Sequence, residues 1–356
     1  MTIKSLSHKT LITVLLLVPL IGCSPQTSES VRHSLATSSA ISTSNIRAPI
    51  DSKLVASLKN IPPQLSSITR DTLIATRAAL SEIPNFPATP GISVEKKLIK
   101  TADGDVSIYI YQPENYSENK PAILWIHGGG YIMGSADSNY FSGAFSKQLN
   151  ATVVSVDYRL APEHPFPAAL NDSHAALLWM VKHAEDLGIS PSRIAVAGQS
   201  AGAGLATGLV LYNRDMKGPE IAFQLLLYPM LDNLHDTPSG SIEDYPVWNR
   251  QTSFNAWEMY FNGTPGLNAS PYGAAAREKD VSGLPKTFIT VGTADLFRDE
   301  NIEYAQRLMA AGVPTQLAVF PGMFHAGQIF SPNAPISQQM ILSYSSALKD
   351  GLAIPD

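Results

Sequence analysis

Along most of the chain, short apolar runs alternate with stretches in which apolar side chains recur every three or four residues. Val106–Tyr111, Ala122–Ile126, Thr152–Val156, Ile194–Ala197, Phe223–Leu227, Lys286–Val291 and Thr315–Phe320 read as strands. Several are nearly continuous Val, Ile and Leu, as in strands covered on both faces. Between them Asn139–Gln148, Ala168–Ala184, Ala201–Asn213, Asn301–Ala311 and Ser337–Leu348 have helical spacing. This alternation predicts an α/β fold with a mostly parallel sheet and helices on both sides. In such sheets, working residues sit on loops beyond the carboxyl ends of the strands.

Two regions break the alternation. Residues 50–80 predict two helical pieces separated by Ile61-Pro62-Pro63. The first carries Leu54 and Leu58; the second carries Leu65, Ile68, Ala75 and Ala79, with Thr72 completing its face. Residues 231–283 form a long segment rich in Trp, Tyr, Phe, Pro and Asn. A structureless loop of that length is uncommon in a compact domain, so it reads as an inserted lid packed with the N-terminal helices over a site. Core packing is the expected role of its aromatics Trp248, Phe254 and Trp257, with an acyl pocket as the alternative.

Composition changes the picture chiefly at the N-terminus. Lys4 and Lys9 precede a largely apolar stretch from Leu11 to Ile21, too short to span a bilayer and suited to a secretory signal. It ends Leu20-Ile21-Gly22-Cys23, which resembles a bacterial lipobox. That implies a signal peptide over residues 1–22 and lipidation of Cys23; an ordinary signal peptide or uncleaved anchor is the alternative. From Ser24 to Ser44, eleven of twenty-one residues are Ser or Thr and none is aromatic. Such a stretch buries too little apolar area to offset chain entropy, so 23–47 reads as a tether. The N-terminal cap helices then occupy 48–95 and the catalytic domain 96–352. The expected location is the bacterial cell envelope, at the outer membrane if the cell is Gram-negative. The net charge of −5 offers no basic footprint for nucleic acid. With Cys23 as the only cysteine, no disulfide or cysteine-based zinc site can form within the chain. Oligomeric state has no signature here.

The candidate chemistry lies at strand ends. Ile194 to Gly202 reads as a strand, then Gly198-Gln199-Ser200-Ala201-Gly202, then a helix. A sharp strand-to-helix turn of this kind lifts a serine Oγ above the sheet, over a helix N-terminus that favours developing negative charge. The alternative for Ser200 is an ordinary N-cap in a tight turn. His127-Gly128-Gly129-Gly130 follows the strand Ala122–Ile126. Its glycines leave backbone N–H groups open to a substrate oxygen, so the Gly128, Gly129 and Ala201 amides are the expected oxyanion donors. No Gly-Lys-Ser/Thr follows to make a phosphate loop, and His127 reads as a structural support for the loop.

Nucleophile elbows run in the order Ser, acid, His. Of eight histidines, only His235 and His325 follow Ser200, and His235 lies early in the lid. His325 follows the strand Thr315–Phe320 and is the expected base. The intervening aspartates are Asp215, Asp232, Asp236, Asp244, Asp280, Asp295 and Asp299. Asp295 directly follows a clear strand; Asp299 and Glu300 read as helix-capping acids.

These blocks, with Val156–Ala169 (VDYRLAPEHPFPAA), resemble the hormone-sensitive-lipase-like, HGGG-bearing family of bacterial α/β-hydrolase esterases over about residues 95–350. The resemblance implies an eight-stranded sheet with a helical cap. It also implies hydrolysis of small-molecule esters with small or short-to-medium acyl groups, without cofactor or metal. Amides or lactones at the same site, or a non-catalytic binding role, are the alternatives. Asp157, Arg159 and Glu163 read as ion-pairing, loop-bracing residues. The chain departs from the common pattern at Gln199, where the family often has an acid, and at Ala203 and Ala326, where glycine is usual.

Overall fold

The computed structural model describes residues 47–354, apart from 116, 117 and 138. The signal-peptide, Cys23 and most of the tether expectations lie outside the described residues.

The N-terminal segment runs through 3-10 turns at Val55–Asn60 and Pro63–Ser66 into helix α1 (Leu73–Ser81). There follow β1 (Ile92–Thr101), β2 (Gly104–Pro113), β3 (Lys120–Ile126), α2 (Asn139–Leu149), β4 (Thr152–Asp157), α3 (Ala168–Lys182), β5 (Ile189–Gln199), α4 (Ala201–Asp215) and β6 (Phe223–Leu227). The inserted segment carries α5 (Arg250–Phe261), and the chain ends with β7 (Lys286–Ala294), α6 (Arg298–Ala310), β8 (Thr315–Phe324), the short α7 (Gly327–Phe330) and α8 (Pro335–Gly351). The eight strands lie in the order β1-β2-β4-β3-β5-β6-β7-β8. Pairing is antiparallel at β1–β2 and β2–β4 and parallel from β4 onward.

Period-two alternation explains the layering. Leu124, Ile126, Val154, Val156, Ile194 and Val196 join one core with α3, α4 and α6. Ile123, Trp125, Val153, Ala195 and Ala197 join the other with α2 and α8. All seven residues of β3 are buried, so its apolar run serves both cores at once.

Three sequence expectations change. The apolar pattern does not announce β1, whose start at Ile92 falls inside the span 48–95 expected for the cap helices. An edge strand pairs on one side only, and Glu95, Lys96, Lys97 and Lys100 give it no apolar rhythm. In the second N-terminal piece, Leu65 and Ile68 are buried as expected, but Thr72 and Ala75 are exposed and Leu73 and Thr76 face inward. Mutual Thr69–Thr72 hydrogen bonds break the chain before α1 starts, which resets the helical phase. Asp299 and Glu300 stand in the first turn of α6, yet neither caps that helix. Asp299 accepts from the Ser239 amide at 2.7 Å, and Glu300 accepts from the Leu231 and Asp232 amides at 2.7 and 3.3 Å. They fasten the inserted segment to the hydrolase core.

The insertion and the N-terminal segment meet through Asn249 Nδ2 to the Ser66 carbonyl (2.7 Å), Asn255 Nδ2 to the Ile68 carbonyl (2.8 Å) and Arg70 with Glu258 (3.2 Å). Asn249 is also the N-cap of α5, accepting from the Thr252 amide. Tyr260 stacks on Tyr131 with centroids 3.9 Å apart, joining the insertion to the loop after β3.

Candidate active site

Ser200 sits between β5 and α4 at φ 53°, ψ −126°. This left-handed backbone is costly for a non-glycine residue, on the order of 1–3 kcal/mol, and persists only where its surroundings over-determine it. Here the Ser200 amide donates to the Leu227 carbonyl (2.9 Å), and its own carbonyl accepts from the Gly204 and Met230 amides (3.0 and 3.1 Å). A side chain at Gly202 would collide with the Ile126 and His127 carbonyls, so glycine is what lets α4 start against the end of β3. The Ser200 hydroxyl makes no cap bond to α4, unlike an ordinary N-cap serine.

That hydroxyl instead meets His325 Nε2 at 2.9 Å. His325 follows β8, and its Nδ1 lies 2.9 Å from Oδ2 of Asp295, which follows β7. The neutral tautomer that serves both contacts carries its proton on Nδ1, donating to the carboxylate, and accepts from the serine through Nε2. The other Asp295 oxygen accepts from the Phe297 amide (3.0 Å). All three side chains are buried, Ser200 being the most open at 7%. Tyr228 and Phe297 set ring edges against the imidazole, with centroids at 4.9 and 5.2 Å.

The glycine loop after β3 closes on the same point. A Cβ built at Gly128 would stand 3.3 Å from Ser200 Cβ. Gly129, at φ +116°, turns the chain in a conformation that side chains rarely adopt. Among the described residues, the Gly128, Gly129 and Ala201 amides donate to no protein oxygen. His127 braces the loop: Nδ1 donates to the Gly128 carbonyl (2.8 Å), and the ring stacks on Tyr158 at 4.2 Å. Tyr158 donates to the His127 carbonyl (2.9 Å). Burial holds the His127 pKa below the ordinary imidazole value, so it stays neutral.

The bracing residues acquire partners here that the sequence did not disclose. Arg159 forks onto the fully buried Asp172. Glu163 takes a bidentate pair from Arg77 of α1 at 2.7 and 2.9 Å. Asp157 accepts from the Ala136 amide (3.1 Å). Gln199 accepts from the Tyr228 hydroxyl (3.1 Å), which itself accepts from Gln328 (2.7 Å). Burial raises the Tyr228 phenol well above its ordinary pKa, keeping this chain neutral. No motif flagged Tyr228 or Gln328; only the fold brings them beside Gln199.

His235 takes no part in this arrangement. It is fully buried, sandwiched between Phe254 and Phe297, and neither ring nitrogen has a hydrogen-bond partner among the described residues. Burial, aided by the Arg250 charge, pushes its pKa down to about 3. Among the described residues, no three His, Cys, Asp or Glu side chains group as metal ligands.

A cavity of about 630 Å³ adjoins Gly128, Gly129 and Gln199. Part of its lining comes from the N-terminal segment, including Pro62, Leu65 and Leu80. Trp248 and Trp257 are buried in the core, and neither they nor Phe254 line the cavity.

Residues 123–329 match the family model for the alpha/beta hydrolase fold. The chain is 36% identical over 318 residues to carboxylesterase NlhH of Mycobacterium tuberculosis, covering 86% of this chain and 97% of that protein. It is 36% identical over 284 residues to esterase LipI of the same species, covering 77% and 87%. Among solved structures it resembles a bacterial heroin esterase, with a TM-score of 0.80 and 37% identity over 85% of this chain and 98% of that one.

Proposed function

We propose, for a chain that belongs to the hormone-sensitive-lipase-like branch of the α/β-hydrolase family and is a carboxylic ester hydrolase, that Ser200, His325 and Asp295 form its catalytic triad. The observation that carries this reading is the line of two 2.9 Å contacts, Ser200 Oγ to His325 and His325 to Asp295, beside three open amides.

The chemistry follows from those positions. His325 Nε2 takes the proton as Ser200 Oγ attacks the ester carbonyl, forming the tetrahedral intermediate. Its oxyanion is held by the Gly128, Gly129 and Ala201 amides, each worth about 3 kcal/mol in the transition state. Asp295 stays ionised and stabilises the imidazolium. The imidazolium returns the proton to the departing alkoxide, and a water molecule, deprotonated by His325, cleaves the acyl-enzyme. The 630 Å³ cavity suits small or short-to-medium acyl esters.

Ser200→Ala is the direct test, read as p-nitrophenyl butyrate hydrolysis over a series of acyl lengths. The variant is expected to lose activity by about 10⁴-fold or more; turnover at the wild-type rate would remove Ser200 from the role. The wild-type series is expected to favour shorter over long chains.

The Leu20–Cys23 lipobox-like sequence supports a second element of the proposal, a lipid anchor at Cys23 that tethers the enzyme to the bacterial cell envelope. Metabolic labelling with a palmitate analogue is expected to mark the wild type and not Cys23→Ala; equal labelling of both would exclude an anchor at that cysteine.

A further inference from the structure

We propose that Asp137 makes this enzyme selective for esters carrying a cationic group, a selectivity that rests on the esterase reading above. Among the residues lining the cavity beside the oxyanion loop, only Arg77 and Asp137 bear full charges. Their situations differ. The Arg77 guanidinium is engaged on all sides: Nε donates to the Ile132 carbonyl, Nη2 to the Ala161 carbonyl, and both Nη atoms to Glu163. Its positive charge is matched by that carboxylate at 2.7 Å, and Glu163 is not part of the cavity wall.

Asp137 has no such match. It accepts from the Ser135 hydroxyl, and no Lys, Arg or His stands within salt-bridge distance of it among the described residues. Lys96 is near enough to feel the Asp137 charge but forms no ion pair with it, its ammonium lying 5.1 Å from the centre of the Tyr109 ring. The charge on the cavity wall that lacks an ion-pair partner among the described residues is therefore negative.

The rest of the lining sharpens what that charge selects. Leu65, Leu80, Ile83, Met133, Leu160 and Phe330 surround it with apolar surface. A strongly hydrated ammonium would leave these walls unused. A trimethylammonium group offers methyls to the walls and diffuse positive charge to Asp137 and to an aromatic face. The favoured substrate is thus a small ester with a quaternary or tertiary ammonium a few atoms from its scissile carbonyl.

The test compares kcat/KM for isosteric pairs. Butyrylcholine is set against the ester in which a tert-butyl group replaces trimethylammonium. The p-nitrophenyl ester of trimethylammonio-butanoate is set against its tert-butyl counterpart, placing the charge on the acyl side instead. In the wild type, at least one pair is expected to favour the cation by about five- to tenfold, the size of one partly exposed ion pair. The ratio should approach one in Asp137→Asn, persist in Asp137→Glu and shrink as salt is raised. Ratios within one variant cancel any loss of folded enzyme, and the salt series needs no variant. Wild-type ratios near one for both pairs, or an undiminished ratio in Asp137→Asn, would overturn the selectivity. Hydrolysis of p-nitrophenyl butyrate in the same experiment leaves the esterase reading standing in that event; a wild type that cleaves no ester overturns both.

Discussion

Two histidines follow Ser200 in the chain, and each lies beside a buried carboxylate. His325 faces Asp295 at 2.9 Å and Ser200 at 2.9 Å, so each ring nitrogen has a partner. His235 faces Glu300 at 3.9 Å, and both its ring nitrogens are orphaned. Burial pushes the pKa of His235 down to about 3, so its ring is neutral near pH 7, and pushes that of Glu300 up from the ordinary carboxylate value. The same two residue types thus form a polar relay in one place and, in the other, a neutral packed ring beside a carboxylate that holds two backbone amides. What separates them is the end of a strand. Asp295 and His325 emerge from β7 and β8 beside the nucleophile, whereas His235 lies within the insertion, enclosed by Phe254 and Phe297.

The contrast can be broken most sharply by His325→Ala. Its kcat is expected to fall by about 10⁵-fold, whereas His235→Phe should stay within a few-fold of wild type. Equal losses in the two variants would erase the distinction. Asp295→Asn comes next, with a loss of about 10⁴-fold at unchanged protein fold, because the amide favours the wrong imidazole tautomer; circular dichroism beside the kinetics checks that condition.

The third prediction concerns stability. His235 has a folded pKa depressed below its unfolded value of 6.5, so the unfolded chain binds the extra proton. Its stabilisation is complete above pH 6.5 and is lost as pH falls toward about 3, at up to about 1.4 kcal/mol per pH unit. Tm measured across that window should therefore fall less steeply in His235→Phe than in wild type; parallel curves would contradict the neutral, buried assignment. The smallest expected effect is that of Gln199→Glu. A carboxylate there, bonded to Tyr228 whose ring edge meets His325, favours the imidazolium. The acid limb of the pH–rate profile is expected to move up by about half a unit, and an unmoved limb would show that Gln199 is electrically remote from the base.

Legibility from sequence follows the same physical line. The elbow at Ser200 and the glycine loop at 127–130 could be read because local backbone geometry dictates their residue types: Gly202 leaves room for two carbonyls, and Gly129 adopts φ +116°. Asp295 and His325 could be singled out because buried parallel strands announce their ends as apolar runs. β1 could not, since an edge strand with charges on both faces has no such rhythm. The phase of α1 is not legible because the Thr69–Thr72 turn resets it without a proline or glycine to mark the break. Arg77 and Glu300 escaped for a different reason. Each bonds to residues far away in the chain, at Glu163 and at Leu231, and no local pattern encodes such partners.

The N-terminal share of the cavity lining separates substrate fit from the sheet. Leu65, Leu80 and Ile83 precede the first strand and contribute no rung to the sheet, yet they shape the cavity that receives substrate. Substitutions in this overhang can reshape substrate range while leaving the sheet, elbow and relay untouched. Substrate preference and fold stability are thereby assigned to different stretches of one chain.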